Sequence, residues 1–242
     1  MHGPIFGEFL GTLVLILLGD GVVANVCLKK SKGESSGWIV ITAGWGFAVL
    51  FGIVVSVGVG GVAHLNPAVT LALAITSGNY ANVVPYIVAQ MIGAFAGAVI
   101  VWLTYLPHWA ETPDKPTKLG VFSTGPAVRN IPVNGLTEII GTIVLVVAGI
   151  GIGAKGLAAT GLPAGFGPFL WGLLVWSIGL SLGGPTGYAI NPARDLGPRI
   201  AHQILPIPGK GDSDWGYAMV PVIGPFIGGA IGAIICIATG IV

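Results

Sequence analysis

The chain has 242 residues, of which 54% are hydrophobic and 8% are charged, and its formal net charge is +1. Soluble domains carry about three times that charged fraction, so the composition is typical of a protein embedded in a bilayer. The small net charge offers no basic surface for nucleic acid, and the glycine pairs at 60–61 and 183–184 fit no phosphate-binding loop. We therefore expect neither nucleic-acid binding nor nucleotide-dependent catalysis.

Six apolar segments are long enough to cross a hydrocarbon core of about 30 Å as helices. They cover roughly residues 4–27, 38–59, 83–105, 133–153, 164–182 and 217–240. The first segment lacks a basic start and carries Glu8 and Asp20, so we expect a helix of the mature protein and not a cleaved signal peptide. Two further stretches, near 68–75 and 193–204, are too short to span and each follows an Asn-Pro pair. These are predicted to be half-membrane helices.

The tripeptide Asn-Pro-Ala occurs at residues 66–68 and again at 191–193. One copy could be an ordinary turn, but the halves also resemble each other elsewhere: Glu-Phe-Leu-Gly-Thr at 8–12 recurs as Glu-Ile-Ile-Gly-Thr at 138–142. Each half holds three spans, and an odd number makes the second half enter the membrane from the opposite side. Such inverted repeats place their solute site where the two halves meet.

We therefore predict a single channel domain over residues 1–242. It consists of repeat 1 at about 1–105 and an inverted repeat 2 at about 133–242. A proline-rich, charged linker at about 106–132 is expected to be a long exposed connection.

The motif also has a direct physical reading. A helix start leaves N–H groups unpaired and carries about half a positive charge, so two facing starts repel cations. Proline lacks an N–H, and asparagine can both cap the helix and offer its NH₂ to a solute oxygen. The predicted pore motifs are Asn66, Pro67, Ala68, Asn191, Pro192 and Ala193.

Non-helical backbone at membrane depth is tolerated where it is buried or lines water. The segments before the two motifs are therefore expected to expose backbone carbonyls to a pore. The candidate carbonyls are those of Val62, Ala63, His64, Tyr188, Ala189 and Ile190.

The segments His-Leu-Asn-Pro-Ala-Val-Thr at 64–70 and Gly-Tyr-Ala-Ile-Asn-Pro-Ala-Arg-Asp at 187–195 resemble the aquaporin superfamily, within it the aquaglyceroporin branch. The resemblance covers almost the whole chain. It implies an all-α membrane bundle of six transmembrane helices and two re-entrant half-helices, and a homotetramer with one pore per protomer. It also implies a multi-pass protein of the plasma membrane with cytoplasmic termini, and the compact chain suggests a bacterium.

The distribution of basic residues conflicts with that orientation. Nine of the ten Lys and Arg residues lie in loops near 30, 120 and 205, which the resemblance places outside the cell, whereas the positive-inside rule favours the reverse. We retain the orientation of the family, because arginines fixed by a pore and a long loop are less subject to the rule.

The resemblance assigns a narrow selectivity filter to Trp45, Gly179, Tyr188 and Arg194. An arginine at membrane depth is costly and usually faces a cavity. The water-selective branch commonly has His at the position of Gly179 and Cys at that of Tyr188, so this chain is expected to admit a three-carbon solute. Tyr188 replaces the Phe common in the glycerol branch, and its hydroxyl is expected to narrow the pore or add a hydrogen bond.

A second departure from the family is Val62, which stands where relatives usually have Gly. A β-branched residue does not readily take a positive φ, so we expect a slightly different loop geometry here.

Glu8 and Glu138 are buried carboxylates with two competing interpretations. The resemblance implies that each accepts hydrogen bonds from its own re-entrant loop, and it groups Asp195 with them as a loop-bracing residue. The alternative is that they couple transport to protons; their symmetric placement favours the first interpretation. Asp20 has no symmetric counterpart and no assigned role. His64 is expected to brace its loop, and neither a metal site nor a cofactor is predicted.

The leading hypothesis is a passive channel, not an enzyme, that conducts small uncharged solutes, chiefly glycerol, with some water, and excludes ions and protons. Its expected partners are these solutes and membrane lipids. A close alternative is the same fold conducting mainly dihydroxyacetone or undissociated lactic acid. An alternative of a different class is a proton-coupled secondary transporter.

Overall fold

A computed structural model describes residues 2–157, 160–163 and 165–242. Within these residues the chain forms ten helices. They are α1 (Pro4–Cys27), α2 (Trp38–Gly58), α3 (Pro67–Ser77), α4 (Val83–Thr104), α5 (Leu106–Glu111), α6 (Lys115–Phe122), α7 (Ile131–Ile152), α8 (Phe166–Leu182), α9 (Pro192–Ile204) and α10 (Met219–Thr239).

Five of these helices, α1, α2, α4, α7 and α10, have 21 to 24 residues and are apolar enough to cross a membrane. Helix α8 has 17 residues and is also apolar, but at 1.5 Å per residue it is only about 26 Å long. The predicted fifth span began at residue 164, which lies outside the described residues. The long helices, α8 and the short α3 and α9 confirm the predicted all-α membrane bundle with two half-helices.

The two halves of the bundle pack in the same way. Helix α1 packs most extensively on α4 and on α2, and the corresponding α7 packs on α10 and on α8. Each half-helix packs against the last long helix of the other half, so that α3 lies on α10 and α9 lies on α4. The exchange of α3 and α9 brings the starts of both half-helices to the interior of the bundle.

Glycines permit these close helix contacts. A Cβ on Gly93 of α4 would lie 2.3 Å from the carbonyl oxygen of Phe9 in α1. In the second half, a Cβ on Gly228 of α10 would lie 2.5 Å from the carbonyl oxygen of Ile139 in α7. Small residues allow backbones in a membrane to approach closely, and the outward-facing side chains of these helices remain apolar.

The connection between the halves differs from the prediction. It contains α5 and α6, and Trp109, Val121 and Phe122 are fully buried, with the ring of Trp109 stacked on that of Phe122 at 5.5 Å between centroids. The expectation of an exposed linker is therefore wrong for these residues. Aromatic residues among the prolines anchor this segment to the bundle, and the count of prolines and charges did not reveal them.

The close contact at Gly93 gives a stability prediction. Gly93→Ala should lower the melting temperature in detergent, because the new methyl group meets a backbone oxygen that cannot move without displacing α1; such overpacking costs about 1–3 kcal/mol. The matched control is Gly135→Ala in α7, where a Cβ would meet no atom of the described residues within 4 Å. The control should melt at the same temperature or higher. Equal shifts for both variants would contradict the packing argument.

Candidate functional site

Asn66 and Asn191 each cap one half-helix and contact the opposite half. The Oδ1 of Asn66 accepts from the N–H of Ala68 at 2.8 Å, and the Oδ1 of Asn191 accepts from that of Ala193 at 3.0 Å. Each Nδ2 crosses to the other half: that of Asn66 donates to the carbonyl of Ile190 at 2.8 Å. The two half-helix starts therefore meet and are tied to each other.

The reciprocal bond runs from the Nδ2 of Asn191 to the carbonyl of Leu65 at 2.9 Å. An amide NH₂ has two hydrogens, and each crossing bond uses one of them. Both asparagines line a cavity, so the second N–H of each amide is available to an oxygen inside it. Pro67 and Pro192 occupy the first helical turn, where their missing N–H leaves no donor unpaired.

The loops before the two motifs contain non-glycine residues with positive φ. These are Ala63 at 57° and Leu65 at 52° in the first loop, and Tyr188 at 39° and Ile190 at 42° in the second. Val62 is not among them, so it does not take the conformation that its β-branched side chain disfavours. The expectation of a slightly different loop geometry stays a prediction. Each such residue costs of the order of 1–3 kcal/mol and persists only where its surroundings enforce it.

Two buried carboxylates hold the loops in this strained conformation. Glu8 accepts from the N–H groups of His64 and Leu65, both at 2.7 Å, and from the Nε2 of Gln90 at 2.7 Å. Both carboxylate oxygens are engaged, and the side chain is fully buried. Bonds from N–H groups to a carboxylate are about twice as strong as neutral ones, so they stabilise the strained loop.

Glu138 repeats this arrangement in the second half. It accepts from the N–H of Ala189 at 3.0 Å, the N–H of Ile190 at 2.8 Å and the hydroxyl of Thr186 at 2.6 Å. Each carboxylate thus binds two consecutive N–H groups of its own loop.

The carbonyl directions follow from these bonds. In a planar trans peptide the C=O points opposite to the N–H of the next residue. The N–H groups of residues 64, 65, 189 and 190 point at the carboxylates, so four carbonyls point away from them. These belong to Ala63, His64, Tyr188 and Ala189, all of which line the cavity.

The cavity has a volume of about 620 Å³. One part of its wall is the loop backbone with the two asparagines, and most of the remainder is apolar side chains from the helices. The latter include Leu15, Val49, Ile53, Leu73, Leu145 and Val175. A row of acceptors beside an apolar surface suits a molecule that has hydroxyl groups on one edge and CH groups on the other.

Three of the four predicted filter residues, Trp45, Tyr188 and Arg194, line this cavity. The Cζ of Arg194 lies 4.0 Å from the centroid of the Trp45 ring, within the range of a cation–π contact, and its Nη1 donates to the carbonyl of Phe122 at 3.4 Å. These contacts hold the guanidinium over the indole ring.

Gly179 is not part of the cavity wall that the described residues form. A Cβ on Gly179 would lie 2.7 Å from the Cζ of Tyr188 and 2.9 Å from its hydroxyl oxygen. The ring of Tyr188 therefore lies over Gly179 and separates it from the cavity. The absence of a side chain at Gly179 leaves the space that the ring occupies.

The hydroxyl of Tyr188 is buried and finds no hydrogen-bond partner within the described chain. It lies beside Gly179, near the methyl group of Thr42, and the ring of Trp38 contacts that of Tyr188 edge-on at 5.9 Å between centroids. The hydroxyl is thus turned toward α2 and α8. The hydroxyl is buried here, and its expected effect on the width of the pore or on hydrogen bonding to a solute stays a prediction.

Asp195 contacts a different segment from the other two carboxylates. Its Oδ2 accepts from the N–H and hydroxyl of Thr124 at 2.8 and 2.7 Å, and its Oδ1 forms an ion pair with the Nε of Arg199 at 2.8 Å. Arg199 also donates to the carbonyl of Ser213 at 2.7 Å. This fully buried cluster joins α9 to the connection after α6. No sequence motif marks Arg199 or Thr124 as partners of Asp195.

His64 lies in the first loop and contacts the helix that follows it. Its Nδ1 is 3.2 Å from the hydroxyl of Thr70, and its ring packs edge-on against Tyr86. The structure thus places His64 among bracing contacts.

Asp20 is the acidic residue that the sequence left without a role. It is fully buried in α1, and its Oδ1 lies 3.5 Å from the Nη1 of Arg194. Its neighbour Gly19 faces Trp45, since a Cβ there would lie 2.2 Å from the Cζ3 of the indole. A buried acid signals a cationic partner, but the sequence does not say which cation.

Comparison with known proteins identifies the family. Residues 2–236 match the family described as Major intrinsic protein. The chain belongs to the major intrinsic protein family. The resemblance to the aquaporin superfamily is thereby confirmed, and the protein is an integral multi-pass membrane protein of a channel family. The relatives and the solved structure that follow confirm the aquaglyceroporin branch.

Several relatives in the family carry the name glycerol uptake facilitator. One from Thermotoga maritima, "Probable glycerol uptake facilitator protein", is 63% identical over 93% of this chain and 94% of its own length. The "Glycerol uptake facilitator protein" of Streptococcus pneumoniae strain R6 is 53% identical over 97% and 98%. The X-ray structure of the aquaglyceroporin from Plasmodium falciparum superposes with a TM-score of 0.85, at 29% identity, over 98% of this chain and 97% of that one.

The bracing of the second loop can be tested with Glu138→Gln. Glutamine has one acceptor oxygen, and its NH₂ would face a backbone N–H, so a buried donor loses its partner at a cost of about 1–3 kcal/mol. The variant should melt at a clearly lower temperature in detergent. Glu111→Gln is the control, because Glu111 is exposed and its ion pair with Lys30 lies at the surface, where such pairs contribute about 0–1 kcal/mol. An unchanged melting temperature for Glu138→Gln would contradict the bracing role.

Proposed function

We propose that this member of the major intrinsic protein family is a passive facilitator for small uncharged polyols, chiefly glycerol. Water passes through the same cavity, and ions and protons are excluded. The observation that carries the proposal is the set of loop carbonyls and asparagine amides that line a cavity whose remaining wall is mostly apolar. Relatives that are 53–63% identical and bear the name glycerol uptake facilitator support it.

A polyol fits this lining through both of its edges. Its hydroxyl groups donate to the carbonyls of Ala63, His64, Tyr188 and Ala189 and accept from the amides of the two asparagines. Its carbon chain lies against the apolar side chains, which carry no competing donors. Each hydrogen bond to water that the solute loses on entry is replaced by one to the wall, so the barrier stays low.

Cations meet an unfavourable potential in the same place. The two half-helix starts each carry about half a positive charge and face the cavity at Asn66 and Asn191. Among the described residues that line the cavity there is no carboxylate. A cation would therefore lose its hydration shell without gaining a counter-charge.

Proton exclusion follows from the paired asparagines. A water oxygen that accepts from the amides of both Asn66 and Asn191 has no lone pair left to accept from a neighbouring water. It then donates outward on both sides, which interrupts the relay along which a proton would travel.

The filter sets the upper size limit. Trp45 and Tyr188 present ring surfaces, and Arg194 presents donors of its guanidinium fork. Because Gly179 lets the Tyr188 ring lie back against α8, the opening accommodates a three-carbon chain.

Assembly and placement belong to the same proposal. The cavity lies within one chain, which fits a homotetramer that has one pore per protomer. We place the protein in a bacterial plasma membrane, since the relatives cited above are bacterial. Both termini are placed in the cytoplasm, as the orientation of the family implies. The repeat limits near residues 105 and 133 remain predictions.

The geometry of the acids favours a channel over a proton-coupled transporter. Both oxygens of Glu8 and both oxygens of Glu138 accept backbone N–H bonds. A coupling acid must take up a proton and release it during transport. Protonation here would place an O–H against backbone donors and break the loop contacts.

The function is tested by stopped-flow light scattering of proteoliposomes that contain the purified protein. Glycerol entry should be fast, proportional to the gradient and accompanied by water flux, with no ion current. Dihydroxyacetone and, at acidic pH, lactic acid are compared in the same vesicles. Uphill uptake driven by a proton gradient would replace the channel with a transporter, and water flux alone would overturn the assignment of the filter.

The close contact between Tyr188 and Gly179 gives a prediction about solute specificity. Gly179→Ala places a methyl group 2.7 Å from the Tyr188 ring and should push that ring into the cavity. Glycerol flux should fall at least about fivefold, roughly 1 kcal/mol in barrier, whereas water flux should change less because the molecule is smaller. Gly184→Ala is the control, since a Cβ there meets none of the described atoms within 4 Å. Equal losses of both fluxes would argue against a steric filter.

A further inference from the structure

Asp20 differs from the other buried carboxylates of the chain. Glu8, Glu138 and Asp195 each accept several hydrogen bonds from loop backbone or side chains. Neither oxygen of Asp20 accepts a hydrogen bond from any described residue. It therefore braces no loop, and its charged contact is the guanidinium of Arg194.

Arg194 contacts Trp45 and Phe122 as well as Asp20, and these contacts indicate the role of Asp20. The guanidinium lies over the face of Trp45, its Nη1 donates to the carbonyl of Phe122, and the same Nη1 lies 3.5 Å from Asp20. Trp45 is itself seated against Gly19, the residue beside Asp20. Residues 19 and 20 of α1 thus support both Trp45 and Arg194 from the side away from the solute.

The ion pair between Asp20 and Arg194 changes the charge that a solute meets at the filter. Two opposite charges at this distance and away from bulk water largely cancel each other's field at longer range. The solute then meets the donor fork of Arg194 without its full positive charge. The half-helix starts at Asn66 and Asn191 then provide most of the repulsion of cations. The filter attracts anions less strongly, because Asp20 offsets the charge of Arg194.

We propose that Asp20 is a positioning and specificity-determining residue of the filter, which neutralises Arg194 and keeps small anions from entering beside neutral polyols. The proposal rests on the proposed function as a channel. It assigns a role to α1 in a filter that is otherwise built from α2, α8, the second loop and the first turn of α9. The discrimination it predicts is between a neutral solute and an anion of similar size.

The direct test is Asp20→Asn, which keeps the shape of the side chain and removes its charge. Proteoliposomes are assayed for formate and nitrate permeability and separately for water and glycerol flux. Arg194 without a counter-charge should attract anions, so the ratio of anion to water permeability should rise about tenfold or more, which corresponds to about 1.4 kcal/mol. The control is Thr12→Val, a buried position on the same helix whose hydroxyl finds no partner in the described part of the chain. It should leave every ratio unchanged.

A second variant shows whether Asp20 acts through Arg194. In Asp20→Asn/Arg194→Gln both charges are absent, so the rise in anion permeability should disappear. If Asp20→Asn alone fails to fold and the double variant folds, the requirement for Asp20 is tied to the charge of Arg194, as proposed. An unchanged anion ratio in Asp20→Asn, an equal rise in the double variant, or failure of both variants to fold would overturn the proposal.

The two proposals fail in different ways. Absence of glycerol flux in the unmodified protein would contradict the proposed function, whereas the anion comparison is referred to water flux and stands without glycerol. A uniform fall of all fluxes in Asp20→Asn would indicate a structural role only and would also overturn the inference.

Discussion

The structure depends on how two non-helical segments are held at membrane depth. Each re-entrant loop contains two non-glycine residues with positive φ, and in each a buried carboxylate accepts two consecutive backbone N–H groups. The same bonds turn the carbonyls toward the cavity and set the half-helix starts so that Asn66 and Asn191 can bond across to the other half. Much of the polar lining of the cavity is therefore backbone, which Glu8 and Glu138 hold in place by hydrogen bonds.

Residues outside the cavity wall also position the aromatic rings of the proposed filter. Tyr188 lies over Gly179 on α8, and Trp45 lies against Gly19 on α1, so each aromatic ring occupies space that a glycine leaves free. Arg194 then stacks on Trp45 and faces Asp20. Gly19, Asp20 and Gly179, which are not part of the cavity wall, thus contact the residues that we propose form the filter.

The sequence predicted the parts that repeat or that follow from composition. The apolar segments, the two Asn-Pro-Ala motifs and the paired glutamates indicated the bundle and its half-helices, because length, spacing and symmetry are visible in one dimension. The partner of Asp20 was not visible, since the pair joins distant parts of the chain and has no symmetric copy. The direction of the Tyr188 hydroxyl also depends on packing, here on the space beside Gly179.

The residues with strained backbone and the buried parts of the connecting segments were the hardest features to predict from the sequence. Val62 was singled out because its side chain disfavours positive φ, but the structure places that conformation at Ala63 and Leu65, one and three residues later. The prolines and charges of the segment between the halves predicted an exposed connection. Trp109 and Phe122 of this segment are nevertheless buried and anchor it to the bundle.

The central claim is that loop carbonyls held by Glu8 and Glu138 form the polar side of the solute path. A high-resolution crystal structure with glycerol bound tests it most directly. The account predicts glycerol oxygens within hydrogen-bond distance of the carbonyls of Ala63, His64, Tyr188 or Ala189 and of the two asparagine amides, with the carbons against the apolar wall. Glycerol bound instead to the carboxylate of Glu8 or Glu138, with the loop N–H groups released, would contradict it.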